Sequence, residues 1–84
     1  MKELEDLNET EKAVLFACCD ANNFSLKSRV PIEAIAKRVQ ISGKFFKKVI
    51  RLLLSNGFIR EHPSGRKTTY ELTRKGWKAG YKLK

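Results

Sequence analysis

The chain has 84 residues, enough for one domain around a single modest core, and its 42% apolar content argues against global disorder. Eighteen Lys and Arg against nine acids give a net charge of +9 and a pI near 9.9, which points to a polyanionic partner, nucleic acid ahead of an anionic membrane surface. No apolar run approaches the roughly 20 residues of a membrane span and the acidic N-terminus lacks a signal core, so a cytoplasmic, nucleoid-associated location without a membrane partner is expected.

The charge is unevenly placed. Residues 1–20 carry six acids and two lysines, whereas residues 21–84 carry sixteen bases and only Glu33, Glu61 and Glu71. From Ala34 to Arg60 there is no acid at all, so one surface is expected to hold most of the positive potential.

Residues 1–7 read as a charged leader, either solvated or folded against a basic face. Asn8 and Glu11 then have the spacing of a capping box, with Glu9 and Glu11 suited to the positive end of the helix dipole. This helix is expected to run to about Ala21, with Val14, Ala17, Cys18 and Ala21 on one face. Cys18 and Cys19 are adjacent and cannot staple distant segments. With a single His they make no zinc site. They are expected as buried or half-buried thiols, or with the outward one linking two chains.

Asn22–Ser28 is turn-like, and Pro31 pushes Val30 into an extended conformation. Ile32–Gln40 has helical spacing, with Ile32, Ile35, Ala36 and Val39 inward. Ile41 and Ser42 form a break. Ser42 is an N-cap for a third helix, 43–56, and Gly57 its left-handed terminator, with Phe58 set to touch Leu53. The next two segments, Phe58–His62 and Lys67–Leu72, alternate as a hairpin with Ile59, Tyr70 and Leu72 inward, and "HPSG" fits a type I turn with Pro63 at i+1 and Gly65 at i+3. The last residues suggest a short helix capped by Thr73, weakened by Gly76 and Gly80 at about 1 kcal/mol each against Ala. Trp77 and Tyr81, four apart, fall on one face, for packing or a dimer contact.

The third helix is sharply divided. On a wheel, Lys44, Lys47, Lys48, Arg51 and Ser55 fall within an arc of about 100°, opposite Phe46, Val49, Ile50 and Leu53, with Phe45, Leu52 and Leu54 flanking the buried side. Lys44–Lys48 and Lys47–Arg51 are like-charge i,i+4 pairs, which cost a few tenths of a kcal/mol where Glu–Lys pairs would add as much. A solubilising face would mix signs, whereas a polyanion relieves this repulsion. The short helix, break and longer helix have a helix-turn-helix layout, with the second helix sized for the DNA major groove.

The segments "LNETEKAVLFA", "VPIEAIAKRVQIS", "GKFFKKVIRLLLSNGFI" and "TTYELTRKG" stand in the order seen in winged helix-turn-helix regulators. Across about residues 7–76 the chain resembles the MarR and ArsR types and their small archaeal and archaeal-virus relatives. The resemblance implies a mainly α fold, a three-helix core with a β-hairpin wing: a winged-helix domain over 8–76, preceded by the leader and followed by a tail, 77–84. It further implies that Ser42, Lys44, Lys47, Lys48 and Arg51 are recognition-helix contacts in the major groove. His62, Ser64, Gly65, Arg66 and Lys67 would form the wing tip on the flanking backbone or minor groove. The chain departs from those types in lacking long terminal dimerisation helices, a sensing domain and a metal-ligand cluster.

The expected function is therefore double-stranded DNA binding by a transcriptional regulator, acting as a homodimer, with no cofactor and no small-molecule ligand evident. Arg51 and Lys47 suit base edges, and Lys44, Lys48, Arg66 and Lys67 suit phosphates. The alternatives are a winged-helix adaptor for an acidic protein and an RNA-binding module. An enzyme is not expected: there is no Gly-rich phosphate loop, no carboxylate pair in a cleft and no nucleophile–base pair. His62 has no evident partner carboxylate and sits beside a turn proline, a poor setting for a base or pH sensor.

Overall fold

A computed structural model describes residues 1–84. A 3-10 turn at Leu4–Asp6 leads into helix α1 (Glu9–Ala21). Strand β1 (Val30–Pro31), helix α2 (Ile32–Ala36), helix α3 (Gly43–Ser55), strands β2 (Ile59–Ser64) and β3 (Lys67–Leu72), and helix α4 (Arg74–Leu83) follow. The three strands form one antiparallel sheet in the order β1-β3-β2. This is the winged-helix fold, helices around one core with a hairpin wing. No helix is long and apolar enough to cross a membrane.

The helix ends obey local chemistry. Asn8 Oδ1 accepts from the Glu11 amide at 2.8 Å, and Glu11 Oε1 accepts from the Asn8 amide at 2.9 Å, closing the capping box. Ser42 Oγ accepts from the Phe45 amide at the start of α3. At the other end Gly57 adopts φ +76°, the Phe58 amide reaches back to Leu53 O and the Gly57 amide to Leu54 O, the paired bonds of a Schellman ending. Thr73 caps α4 by accepting from the Gly76 amide.

The core joins Val14, Leu15, Ala17, Cys18 and Cys19 of α1 to Ile35, to Phe46, Val49, Ile50 and Leu53 of α3, and to Phe58, Ile59, Tyr70, Leu72 and Ala79. Cross-strand partners share a face, so the pairs Ile59–Leu72 and Glu61–Tyr70 lie on one side of the sheet, and Arg60–Glu71 and His62–Thr69 on the other. Val30 pairs with Tyr70 and extends the core side.

Several expectations are corrected. Helix α2 ends at Ala36 rather than Gln40, because the chain tightens into i→i+3 bonds, Arg38 N to Ile35 O and Val39 N to Ala36 O. Arg38 also folds back, its guanidinium donating to Ala34 O and to Asp20. The hairpin turn lies two residues beyond the expected one. Ser64 pairs with Lys67, leaving Gly65 and Arg66 as a two-residue loop in which Gly65 takes φ +54°. Pro63 is thus a strand residue, tolerated because β2 is a sheet edge. Neither cysteine faces outward; both are buried.

The last two turns of α4 are closely held. Trp77 Nε1 donates to Phe24 O at 2.9 Å, and the rings of Phe16, Phe24, Tyr81 and Trp77 meet edge-on or tilted in series at centroid spacings of 5.0–5.7 Å. This cluster clamps Asn23 and Phe24, both at positive φ, a conformation that costs a non-glycine residue on the order of 1 kcal/mol or more. Trp77 and Tyr81 therefore pack within the chain, and the helix runs through the boundary drawn at residue 77.

Candidate nucleic-acid interface

Lys44, Lys47, Lys48 and Arg51 are all exposed, projecting from α3 opposite the side that buries Phe46, Val49, Ile50 and Leu53. They span about two turns, roughly 10 Å along the axis. The first turn of α3 carries no acid, in contrast to α1 with Glu9 and Glu11. Lys44 instead adds positive charge beside the positive end of the helix dipole, so free amides and ammonium groups share one unneutralised end.

The ion pairs of the molecule fall elsewhere. They join Lys2 to Glu11, Arg29 to Glu71, Arg38 to Asp20, and Lys75 to Glu3. None uses a cation of α3 or the wing tip. Glu61 borders the same depression as Lys47 and Arg51, without an ion pair to either. The like-charge cost read from the sequence is thus left unrelieved in the free chain.

The leader folds away from this face. The Lys2 amide donates to Asn56 Oδ1, and Lys75 Nζ donates to Lys2 O, Asn56 O and the Glu3 carboxylate. Glu3 and Glu5 border a depression shared with Lys75, Lys78 and Lys82 of α4. The leader acids therefore sit at the C-terminal end of α3 and beside the basic α4. The leader acids thus leave the cations of α3 and the wing tip uncompensated, while Arg74, Lys78 and Lys82 of α4 also stand outside the ion pairs.

At the wing, Ser64, Gly65, Arg66 and Lys67 form the exposed tip. Ser64 Oγ donates to Lys67 O across the loop at 3.2 Å. His62 is not at the tip. It pairs with Thr69, is half-buried, and turns Nε2 onto Glu71, which also faces Arg29. The carboxylate that the sequence did not offer His62 comes from the neighbouring strand, and a register read across the hairpin would have placed it there.

One residue of this surface was misplaced by the wheel. Phe45 is not tucked against the core; it is 44% exposed and borders the same depression as Lys44, Lys47, Lys48 and Arg51. The signal for it was its angle, about 100° from Lys44, in the gap between the cationic arc that ends at Lys48 and the core face that begins at Val49.

A core of three helices with a hairpin wing, carrying an unpaired cationic helix, defines the class: a small winged-helix protein. No protein-family model matches the chain, and no curated protein matches it in sequence. Among solved structures it is similar to TubR from Bacillus megaterium pBM400, at a TM-score of 0.78 and 20% identity over 95% of this chain and 89% of that one. It is similar also to AF1382 from Archaeoglobus fulgidus, at a TM-score of 0.71 and 20% identity, covering 95% and 87%. A segment of human N-acetylserotonin methyltransferase, a fifth of that chain, matches 77% of this one at a TM-score of 0.51 and 23% identity. At these identities the likeness is one of fold.

Proposed function

We propose that the protein binds double-stranded DNA as a homodimeric transcriptional regulator, with α3 in the major groove and the wing tip on flanking phosphates. The observation that carries the reading is the exposed cationic face of α3, Lys44, Lys47, Lys48 and Arg51 on a helix without a single acid, joined by Arg66 and Lys67 at the exposed wing tip, none of the six in an ion pair. The major groove admits one helix, read from its N-terminal half, which is where Lys44, Lys47 and Lys48 stand, with Arg51 one turn beyond Lys47 on the same face. Arg51 and Lys47 suit guanine O6 and N7; Lys44, Lys48, Arg66 and Lys67 suit phosphates. This is a binding role rather than a catalytic one. The MarR/ArsR likeness of the sequence and the fold of the solved neighbours both support it.

Duplex affinity measured against salt tests the reading. Two copies neutralising about five phosphates each give a log–log slope of roughly −9. Lys47→Ala with Arg51→Ala should weaken binding sharply and relax the preference for guanine. A salt-independent affinity, or an unchanged affinity in the double variant, refutes it. Stronger competition by structured RNA than by duplex DNA assigns the surface to RNA instead.

A further inference from the structure

The large hydrophobic side chains left exposed are Met1, Phe45 and Tyr81. Met1 is the chain terminus, and Tyr81 belongs to the aromatic cluster on α4. Phe45 has no such account. It stands in the first turn of α3, follows directly after Lys44, and lies one turn from Lys48 at the i,i+3 spacing that makes side chains neighbours. An apolar ring of this size exposed among four cations gains nothing in the free chain, since water must be ordered around it and Lys would serve solubility better.

Resting on the DNA-binding reading above, we infer that Phe45 is a specificity-determining side chain that packs against the 5-methyl group of a thymine in the major groove. The chemistry is complementary. The cations hold the phosphates and guanine edges, while a thymine methyl is the one apolar projection a base pair presents in that groove, and Phe is among the side chains suited to it. The first turn is also where a recognition helix meets base edges. A protein partner would need one apolar spot enclosed by acids to match the same surface. The thymine methyl set between two phosphate backbones has that pattern by construction.

The test uses the full chain and duplexes selected by it from a random pool. In a selected duplex each thymine is replaced singly by deoxyuridine, which removes the methyl and keeps the base pair. One position per half-site should then lose about fourfold in affinity, the effect of withdrawing one methyl-sized group from contact. Phe45→Ala should bind thymine and deoxyuridine duplexes equally, with an unchanged melting temperature because the side chain is outside the core. Phe45→Leu, still apolar, should retain part of the preference. Wild-type indifference to every deoxyuridine, a selected sequence without thymine, or equal discrimination by Phe45→Ala overturns the inference while leaving DNA binding intact. Failure to retain any duplex overturns the DNA-binding reading and this inference with it.

Discussion

Gly76→Ala is the substitution on which sequence and structure disagree in sign. Helix propensity alone predicts a gain of about 1 kcal/mol, since Gly76 lies inside α4. A Cβ built there, however, falls 1.9 Å from the Phe58 carbonyl oxygen and 2.9 Å from its carbon. These are backbone atoms, so no side-chain rotation relieves the contact, and α4 must part from the α3–β2 corner by at least about 1.1 Å. That corner is held by the Thr73 amide donating to Phe58 O at 3.2 Å and by Thr73 Oγ1 at 3.0 Å from the same oxygen. Overpacking costs about 1–3 kcal/mol, and the strained hydrogen bonds about 1 kcal/mol more. Set against the propensity gain, the net loss is about 1–3 kcal/mol, a fall of about 4–8 °C in Tm for each kcal/mol in a domain of this size. Urea denaturation and thermal melts followed by circular dichroism measure it. A Gly76→Ala protein as stable as the wild type refutes the close approach of α4 to Phe58. Gly43→Ala is the control: a Cβ at Gly43 meets nothing within 4 Å, so it should leave stability unchanged or slightly raised.

Three further outcomes are expected. Asn8→Ala removes the Oδ1 acceptor of the Glu11 amide, leaving only the backbone amide of residue 8 donating to Glu11, and should cost about 1 kcal/mol in urea denaturation; no change would mean that α1 is held by packing alone. Burial pushes the Cys19 thiol up to about 12 and holds Cys18 well above the ordinary thiol range, with the neighbouring Cys19 charge adding to the effect on Cys18. Both should therefore resist a thiol reagent at pH 8 in the native state and react in urea. Because the folded values are raised, the unfolded chain releases its thiol protons first. The stability these thiols contribute is complete below about pH 8.5 and falls as pH climbs above it, by up to about 1.4 kcal/mol per unit per cysteine. The slope of stability against pH between 8.5 and 10 should be shallower in the Cys18→Ala/Cys19→Ala protein; an identical slope would refute the assignment.

Local chemistry was legible in the sequence wherever a residue acts on its own neighbours along the chain. The Asn8–Glu11 box, the Ser42 cap, the Gly57 ending with Phe58 returning to Leu53, and the inward set Ile59, Tyr70 and Leu72 all depend on spacings of one to five residues or on strict alternation. So does the division of α3 into a core face and a cationic face, because a helix repeats its faces every 3.6 residues. These features determined the fold class and the location of the candidate interface.

What only the tertiary structure decided involves residues brought together from afar. The pairing of β1 with β3 brings Arg29 to Glu71, and that of β2 with β3 brings His62 to the same carboxylate. The wing turn fell on Gly65–Arg66 because the two strands had to pair in the register that puts Ile59 and Leu72 together on the core. The leader chose α4 over α3, which leaves the cations of α3 and the wing without acids. The role of Gly76 reversed from weak helix former to required contact, since its cost along the helix is local whereas its benefit is the approach of Phe58. Phe45 stands at the shoulder of its helix, where periodicity gives an angle but not what lies opposite. That depends on the shape of the packed neighbours, which no spacing within one helix encodes.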